Sequence, residues 1–506
     1  MGSDATTPPA VATTGERLPI LEKIGYGLGD TASNILYQAW SFFLAKFYTD
    51  VFGIAAKHAA FLFLITRIWD MINDPMMGMI ADRTNTRWGR FRPYLLWVGV
   101  PYGALVYAMF VTPSWSPNAK IVYAYATYIL ATMAYTAINI PYSSMMAVLT
   151  PDPKERTTLS QYRFFFAFVG MFLITTFMLP LVKFFGTEVV DPTINPELAY
   201  SQALEKFYIV DAGFNPAVGY RMTMAMFGAI ATVLLLITFL TTHERVQPPK
   251  GQKSPFTQDL KDVSRNVPWI ILFLGCIFWL THNMIRNGSI VYYFDYVSGR
   301  GKEVLFRIPL RLFTLDFDLT TTFLTIGTFG MMAGVFLSTP CKKYFGKKPL
   351  LIFLILASVA LGALFYVLPP DNFVLLSVFN FLWSIMAGAM PVFLFAMFAD
   401  ATDYHEWKFG RRATGLVIAG IMFAIKMGVA VGGFLQLQLL DLFGYEPNVA
   451  QTPAALIGIR MLFSIIPAVF LLLCGVALLF YPISESLLGR IEQDLKARKC
   501  AEGTGR

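Results

Sequence analysis

Polar and apolar positions along this chain are sorted into long blocks. Twelve apolar runs are long enough to cross a bilayer as helices, at 24–50, 59–81, 93–112, 120–148, 159–185, 220–242, 266–297, 317–340, 349–368, 373–399, 413–443 and 455–482. A helical crossing needs about 20 predominantly apolar residues. The pattern predicts an all-α polytopic membrane protein of twelve transmembrane helices, six on either side of a polar segment at 244–265, in two six-helix bundles. The bundles fall at 20–243 and 266–483, between a small, polar tail at 1–19 and a second tail at 484–506.

The loops sort by charge. One set carries Arg83, Arg87, Arg90 and Arg92; Lys154 and Arg156; Lys250, Lys253, Lys261 and Arg265; Lys342, Lys343, Lys347 and Lys348; and Lys408, Arg411 and Arg412. These alternate with loops poor in basic residues. By the positive-inside rule the basic set and both termini are cytoplasmic, in an inner, cytoplasmic cell membrane. The loop from Asp82-Arg83 to Gly89-Arg90-Phe-Arg92-Pro93 follows the second run, and Lys342-Lys343-Tyr-Phe-Gly346-Lys347-Lys348-Pro349 follows the eighth. This echo fits a duplicated six-helix unit. Two outer loops stand apart: 186–219, net acidic, and 298–316, with Arg300, Lys302, Arg307 and Arg311. Their opposite charges predict that they pack on each other as an outer cap.

Composition agrees. The 506 residues are 56% hydrophobic and 14% charged, with mean hydropathy +0.56, whereas soluble domains run near 25% charged. That excludes a soluble enzyme. The net charge of +8 would suit nucleic acid, but the basic residues are spread over short loops, so no nucleic-acid partner is expected. The four cysteines and four histidines are dispersed and imply no disulfide framework or metal cluster.

Against this apolar background, charges inside the runs stand out. Asp70 and Asp74 are four residues apart in the second run, on one helical face, with Arg67 and Asn73 beside them. A charge at mid-bilayer costs on the order of 3 kcal/mol on insertion scales, so it faces a partner or a water-filled cavity. Two carboxylates and an amide form an oxygen-rich site for a monovalent cation or a proton; a salt bridge with Arg67 is the bland alternative. The first run carries Asp30, Asn34, Tyr37, Gln38 and Ser41 on one face, and the fourth carries Thr132, Thr136, Asn139 and Ser143, flanked by Tyr135 and Tyr142. Arg163 opens the fifth run, His282, Asn283, Arg286 and Asn287 lie in the seventh, and Lys426 is the single charge of the eleventh between Leu416 and Leu440. Asp30, Asp70 and Asp74 can be balanced by Arg67, Arg163 and Lys426. A nearly neutral cavity of hydroxyls, amides and aromatics suits an uncharged polyhydroxylated solute; Arg163 and Lys426 equally suit an anionic sugar.

The run Arg67-Ile-Trp-Asp70-Met-Ile-Asn73-Asp74-Pro-Met-Met-Gly78, followed by Asp82-Arg83-Thr and Arg87-Trp-Gly-Arg90-Phe-Arg92-Pro93, resembles the glycoside–pentoside–hexuronide:cation symporter family of the major facilitator superfamily. The resemblance continues through Asn139-Ile-Pro-Tyr142, Glu155-Arg156, Arg163-Phe-Phe165, Ala399-Asp400-Ala-Thr-Asp403-Tyr-His-Glu406-Trp-Lys408 and Gly410-Arg-Arg-Ala-Thr414. It implies the major facilitator fold and alternating access. It also implies cation-site roles for Asp70 and Asp74, with Asn73 and Thr136 as neighbours and Lys426 close by, and a sugar-pocket role for Arg163. Asp400, Asp403 and Glu406 match acidic residues of the connection between helices ten and eleven. Three positions depart from melibiose permease, the best-known member: Asn34 and Asn139 replace aspartates, and Ser143 replaces a tryptophan. Galactoside specificity is therefore not carried over. Asp30, one turn before Asn34, is a substitute carboxylate.

The expectation is a secondary active symporter, functional as a monomer, of a sugar or glycoside with Na⁺ or H⁺, and no other cofactor. Na⁺ or a proton binds at Asp70 and Asp74, and substrate meets Asp30, Asn34, Tyr37, Asn139, Tyr142, Arg163 and Lys426. Asp82, Arg83, Arg90, Asp400, Asp403 and Glu406 gate the cytoplasmic side. A hexuronide or other anionic sugar is the alternative substrate, and a non-transporting sugar sensor the remoter reading. A membrane enzyme would need a nucleophile–base or metal constellation, and Asp400, Asp403, His405 and Glu406 are read as lying on a connecting loop without ligand spacing.

Overall fold

The computed structural model describes residues 17–150, 153–187, 214–245, 265–309, 314–409 and 414–503. The first half is built from α1 (Ile20–Ala39), α2 (Ala56–Arg83), α3 (Arg92–Met109), α4 (Pro117–Leu149), α5 (Pro153–Gly186) and α6 (Pro216–Thr241). The second half has α7 (Val267–Tyr292), a hairpin of β1 (Val304–Pro309) and β2 (Thr314–Asp318), then α8 (Leu319–Phe345), α9 (Lys347–Leu364), α10 (Phe373–Phe409) and α11 (Thr414–Leu442). The last run is broken at Ser464 into α12 (Pro453–Phe463) and α13 (Ile465–Leu479), and α14 (Glu485–Gly503) closes the chain. Prolines inside α3, α4, α5 and α10 do not end those helices, since neighbouring helices re-satisfy the freed backbone groups.

Nine of the described crossings are long and apolar enough to span a membrane by composition alone, and α1, α2 and α3 complete the set within the packing. In the first bundle α1 packs on α5 and α6, and α3 on α4 and α6; in the second, α7 packs on α11 and α13, and α8 on α10. The bundles meet along α2–α11 and α5–α8. Gly89 (φ 109°) and Gly346 (φ 74°) take the left-handed turn before α3 and α9, a conformation that favours glycine. Glu244, just past α6, then accepts from the backbone N–H of Arg90, Phe91 and Arg92 at 2.9, 2.8 and 3.0 Å. Glu485, just past α13, accepts from Lys347 N at 3.1 Å. The internal echo thus extends to an acidic cap supplied to the third helix of each bundle by the chain leaving the sixth.

The tails and loops take more definite form. The tail after 484 is a helix whose Leu488, Ile491 and Leu495 are buried. The 298–316 loop is largely a β-hairpin, in which Arg307 pairs with Asp316 at 3.2 Å. Arg300 pairs with Glu303 at 2.6 Å. Arg307 finds its partner across the hairpin, where adjacent strands bring acidic and basic side chains together, and Arg300 finds its partner three residues on, in the turn before β1. Residues 188–213 of the acidic loop lie outside the described residues, as do residues 1–16 of the first tail and 246–264 of the central segment. Asp400, Asp403, His405 and Glu406 are on the last turns of α10, not on a connecting loop.

Candidate functional site

At mid-length on α2, Asp70 is 1% exposed and Asp74 half-buried. Opposite them, α11 delivers Lys426 across the bundle boundary, with Nζ 2.5 Å from Asp74 and 3.9 Å from Asp70. Thr136 of α4 donates to Asp74 Oδ1 at 3.0 Å and lies 3.4 Å from the same ammonium. Asn73 Nδ2 is buried with no hydrogen-bond partner among the described residues. The ammonium stands where a cation facing two carboxylates would stand. Asp70, Asp74 and Lys426 together carry net −1, which one further monovalent cation or a proton would neutralise. Lys426, expected among the substrate residues, is placed with the carboxylates. The side chains of Arg67 and Asp82 lie outside the described residues.

A second cluster lies on α1, α4 and α5. Arg163 Nε is 3.3 Å from Asp30 Oδ2, and its Nη2 donates to Ser143 Oγ at 3.2 Å. The guanidinium lies 5.2 Å from the centre of the Tyr142 ring. Tyr26 stacks on Tyr142 at 4.8 Å, and the Tyr142 hydroxyl donates to Tyr26 O at 2.6 Å. Asn34 donates to Asp30 O at 2.9 Å, and Tyr37 stacks on Tyr135 at 5.7 Å. Asn34, Tyr37, Asn139 and Ser143 are half-buried. Helix α4 joins the clusters: Thr136 reaches the first and Ser143 the second, while Asn139 lies between them on the same face. Seven residues of helix separate the clusters by about 10 Å.

The two ends of the molecule differ. At the end far from the termini, α1 and α7 each loosen into π-helical turns, at Trp40–Leu44 and Phe47–Phe52 and at Tyr293–Val297, a feature frequent at functional sites. There Lys46 bridges Asp50 at 2.9 Å and Asp295 at 2.7 Å. Asp50 also accepts from Tyr296 at 2.9 Å and Tyr445 at 2.6 Å, while Asn448 donates to its carbonyl at 2.6 Å. Below this knot, Thr175 meets Thr328 and Thr176 meets Thr325, each at 3.0 Å, and Lys183 meets Asp316 at 2.9 Å. All except Lys46–Asp50 join one bundle to the other. The sequence reading missed Lys46, Asp50, Asp295 and Tyr445 as functional residues. The signal was a Lys–Asp pair at i, i+4 inside an apolar run.

At the terminal end, three ion pairs lie within a bundle: Lys23–Glu155 at 2.7 Å, Arg245–Glu22 at 2.7 Å and Lys347–Asp400 at 2.6 Å. A cavity of about 780 Å³ parts α1 and α5 from α8 and α10 there. Of the expected gate, Asp400 is tied to Lys347, Arg90 offers its backbone to Glu244, and Arg83 is exposed. Asp403 and Glu406 are half-buried on α10. The molecule is closed at the far end and parted at the terminal end.

A third feature lies in the second bundle. Arg286 of α7 is 1% exposed and held between Trp383, Phe365 and Phe463, at 3.9, 4.7 and 4.7 Å from the ring centres. It donates to Phe463 O at 3.1 Å and Asn380 Oδ1 at 3.3 Å, and Nε has no partner among the described residues. No carboxylate among the described residues pairs with it.

Two helical bundles around a polar, charge-bearing centre, closed at one end and open at the other, define a transporter of the alternating-access class. The chain belongs to the family of MFS/sugar transport proteins, whose pattern it matches over residues 25–485. It is 33% identical to an inner membrane symporter of Escherichia coli (strain K12), over 96% of this chain and 97% of that protein. It is also 33% identical to the isoprimeverose transporter of Lactiplantibacillus pentosus, over 96% and 94%. The fold is shared with a crystal structure of a D-xylose-proton symporter, at TM-score 0.59 and 13% identity, covering 92% and 97% of the two chains. This is a multi-pass membrane protein of a sugar-transporting family, and its relatives are transporters.

Proposed function

We propose that the chain imports a sugar or glycoside together with a monovalent cation across the inner membrane, with both termini in the cytoplasm. The observation that carries this reading is the α4 stripe, which links the Asp70–Asp74–Lys426 cluster to the Asp30–Arg163 pair. A cation entering the first cluster completes its neutralisation and draws Asp74 and Thr136 into its coordination. Asn139 and Ser143, on the same face of the same helix, move with Thr136, so the substrate wall responds. Coupling is reciprocal: the cation raises sugar affinity by the factor that sugar raises cation affinity. Asn34, Asn139 and Arg163 donate to sugar hydroxyls, Asp30 accepts from them, and Tyr37 and Tyr142 cover the apolar sugar face. The present arrangement is then the inward-facing one. Return requires the far-end knot at Asp50 to part and the terminal ends of α5 and α8 to close. The sequence similarity to a symporter and to a carrier of isoprimeverose supports the reading.

The test is uptake of neutral and acidic glycosides into energised vesicles, with and without an inward Na⁺ gradient at fixed pH. Asp74→Asn should abolish uphill accumulation while leaving exchange across the membrane measurable. Uphill uptake undiminished in that variant would overturn the assignment. Uptake indifferent to Na⁺ but collapsed by a protonophore would make the carried ion a proton.

A further inference from the structure

Arg163 and Lys426 each face carboxylates, at 3.3 Å and 2.5 Å, so neither has charge to spare for an anionic solute. Arg286 does. Its guanidinium has five donors; among the described residues it makes two hydrogen bonds, both to uncharged acceptors, and Nε is buried and unpartnered. A cation taken fully out of water without a counter-ion is costly unless something offsets it. The three surrounding rings do so in part through their π faces, leaving the charge itself uncompensated.

The setting is a boundary between the bundles. Arg286, Asn287, Asn380 and Ser384 line a small pocket closed by Phe42 of α1 and Met171 of α5. Its volume, about 20 Å³, suits one water and no more. Arg286 stands nineteen residues into α7, the depth at which Ala39 stands in α1, so it lies at the level of the polar stripe of α1. Met171 also follows Gly170, whose missing side chain lets α5 close on Thr31 and Asn34. Met171, which lines the pocket, thus lies one residue from the seam between α5 and the α1 face assigned to the sugar. Its lid is made of first-bundle residues beside the Thr175–Thr328 contact, and that lid leaves when the far end opens.

We propose that Arg286, oriented by Asn380, is the specificity-determining residue that reads a negative charge on the transported sugar. The substituent is a carboxylate or sulfonate, which a guanidinium takes in bidentate geometry. It enters when Phe42 and Met171 withdraw in the outward-open state. This inference rests on the proposed sugar transport and deepens it.

The experiment compares matched pairs in energised right-side-out vesicles: methyl β-D-glucoside against methyl β-D-glucuronide, and methyl β-D-galactoside against methyl β-D-galacturonide. The wild type should accumulate an acidic member in preference to its neutral twin. Arg286→Gln should lower the acidic-to-neutral uptake ratio at least tenfold. Asn380→Asp places a competing carboxylate on the guanidinium and should lower the same ratio; it carries the test if Arg286→Gln is not recovered folded. Equal losses of both members in Asn380→Asp, or an unchanged ratio, would reduce Arg286 to a packing role and overturn the inference. A wild type that concentrates only neutral members would overturn it while leaving sugar transport intact. Uptake of neither member of any pair, under either ion gradient, would take down both readings together.

Discussion

Asp30 and Arg163 show how one residue pair can serve stability and recognition at once. Their side chains are 10% and 23% exposed, so the pair is mostly but not wholly withdrawn from solvent. Removing one member leaves the other charged in a poor environment, a larger cost than losing the pair together. Asp30→Asn should therefore lower stability by about 3 kcal/mol. The double variant Asp30→Asn/Arg163→Gln should recover most of that loss without recovering transport. Thermal unfolding in detergent beside vesicle uptake checks both statements; additive destabilisation would remove the pair from the argument. The polar residues of α1 and α4 were legible in the sequence because each breaks an apolar run at helical spacing. Which cation faces which carboxylate was not legible in composition or spacing; only the family resemblance set Lys426 near Asp70 and Asp74. Lys426 is far from Asp74 in sequence, and only the meeting of α2 and α11 sets them 2.5 Å apart.

At the scale of the element, the helices are held by what they lack as well as by what they carry. Where α8 crosses α10, a side chain at Gly334 would drive its Cβ into the carbonyl oxygen of Ile385. Backbones approach this closely in membranes only over small residues, since packing rather than the hydrophobic effect drives association there. Gly334→Ala should separate α8 from α10 and lower the yield of monodisperse protein several-fold, as read by size-exclusion chromatography. A normal yield with a normal melting temperature would show that the seam can relax. Most boundaries of the apolar runs anticipated the helices, but α10 runs to Phe409, beyond the expected 399, and carries Asp400, Asp403 and Glu406 with it. The reason is physical: a helix leaving the bilayer turns amphipathic, and its polar last turns do not register as an apolar run.

For the whole molecule, the far-end knot decides which way the transporter faces. Asp50 gathers Lys46, Tyr296, Tyr445 and Thr49 on one carboxylate, the last at 2.6 Å. Tyr296 and Tyr445 belong to the opposite bundle. Asp50→Asn keeps the shape but discards the charge, so the Lys46 bridge to this residue is lost and the tyrosine donors bind a weaker acceptor. The equilibrium should move toward the outward-open state. Thr328→Cys, in a background with the four native cysteines replaced, should then react several-fold faster with a membrane-impermeant maleimide added from outside. An unchanged rate would place the seal elsewhere.

The sequence by itself determined the class of the fold, the two-bundle division and the existence of a charged centre. Those follow from local properties: run length against bilayer thickness, loop charge, and the spacing of costly polar residues within apolar helices. The tertiary structure alone decided three other things. It set Lys426 in direct contact with the α2 carboxylates, built the Asp50 knot from three separate stretches of chain, and left Arg286 as the buried guanidinium without a carboxylate partner among the described residues. Each depends on contacts between residues far apart in sequence, and no periodicity within one helix records which face of another it will meet.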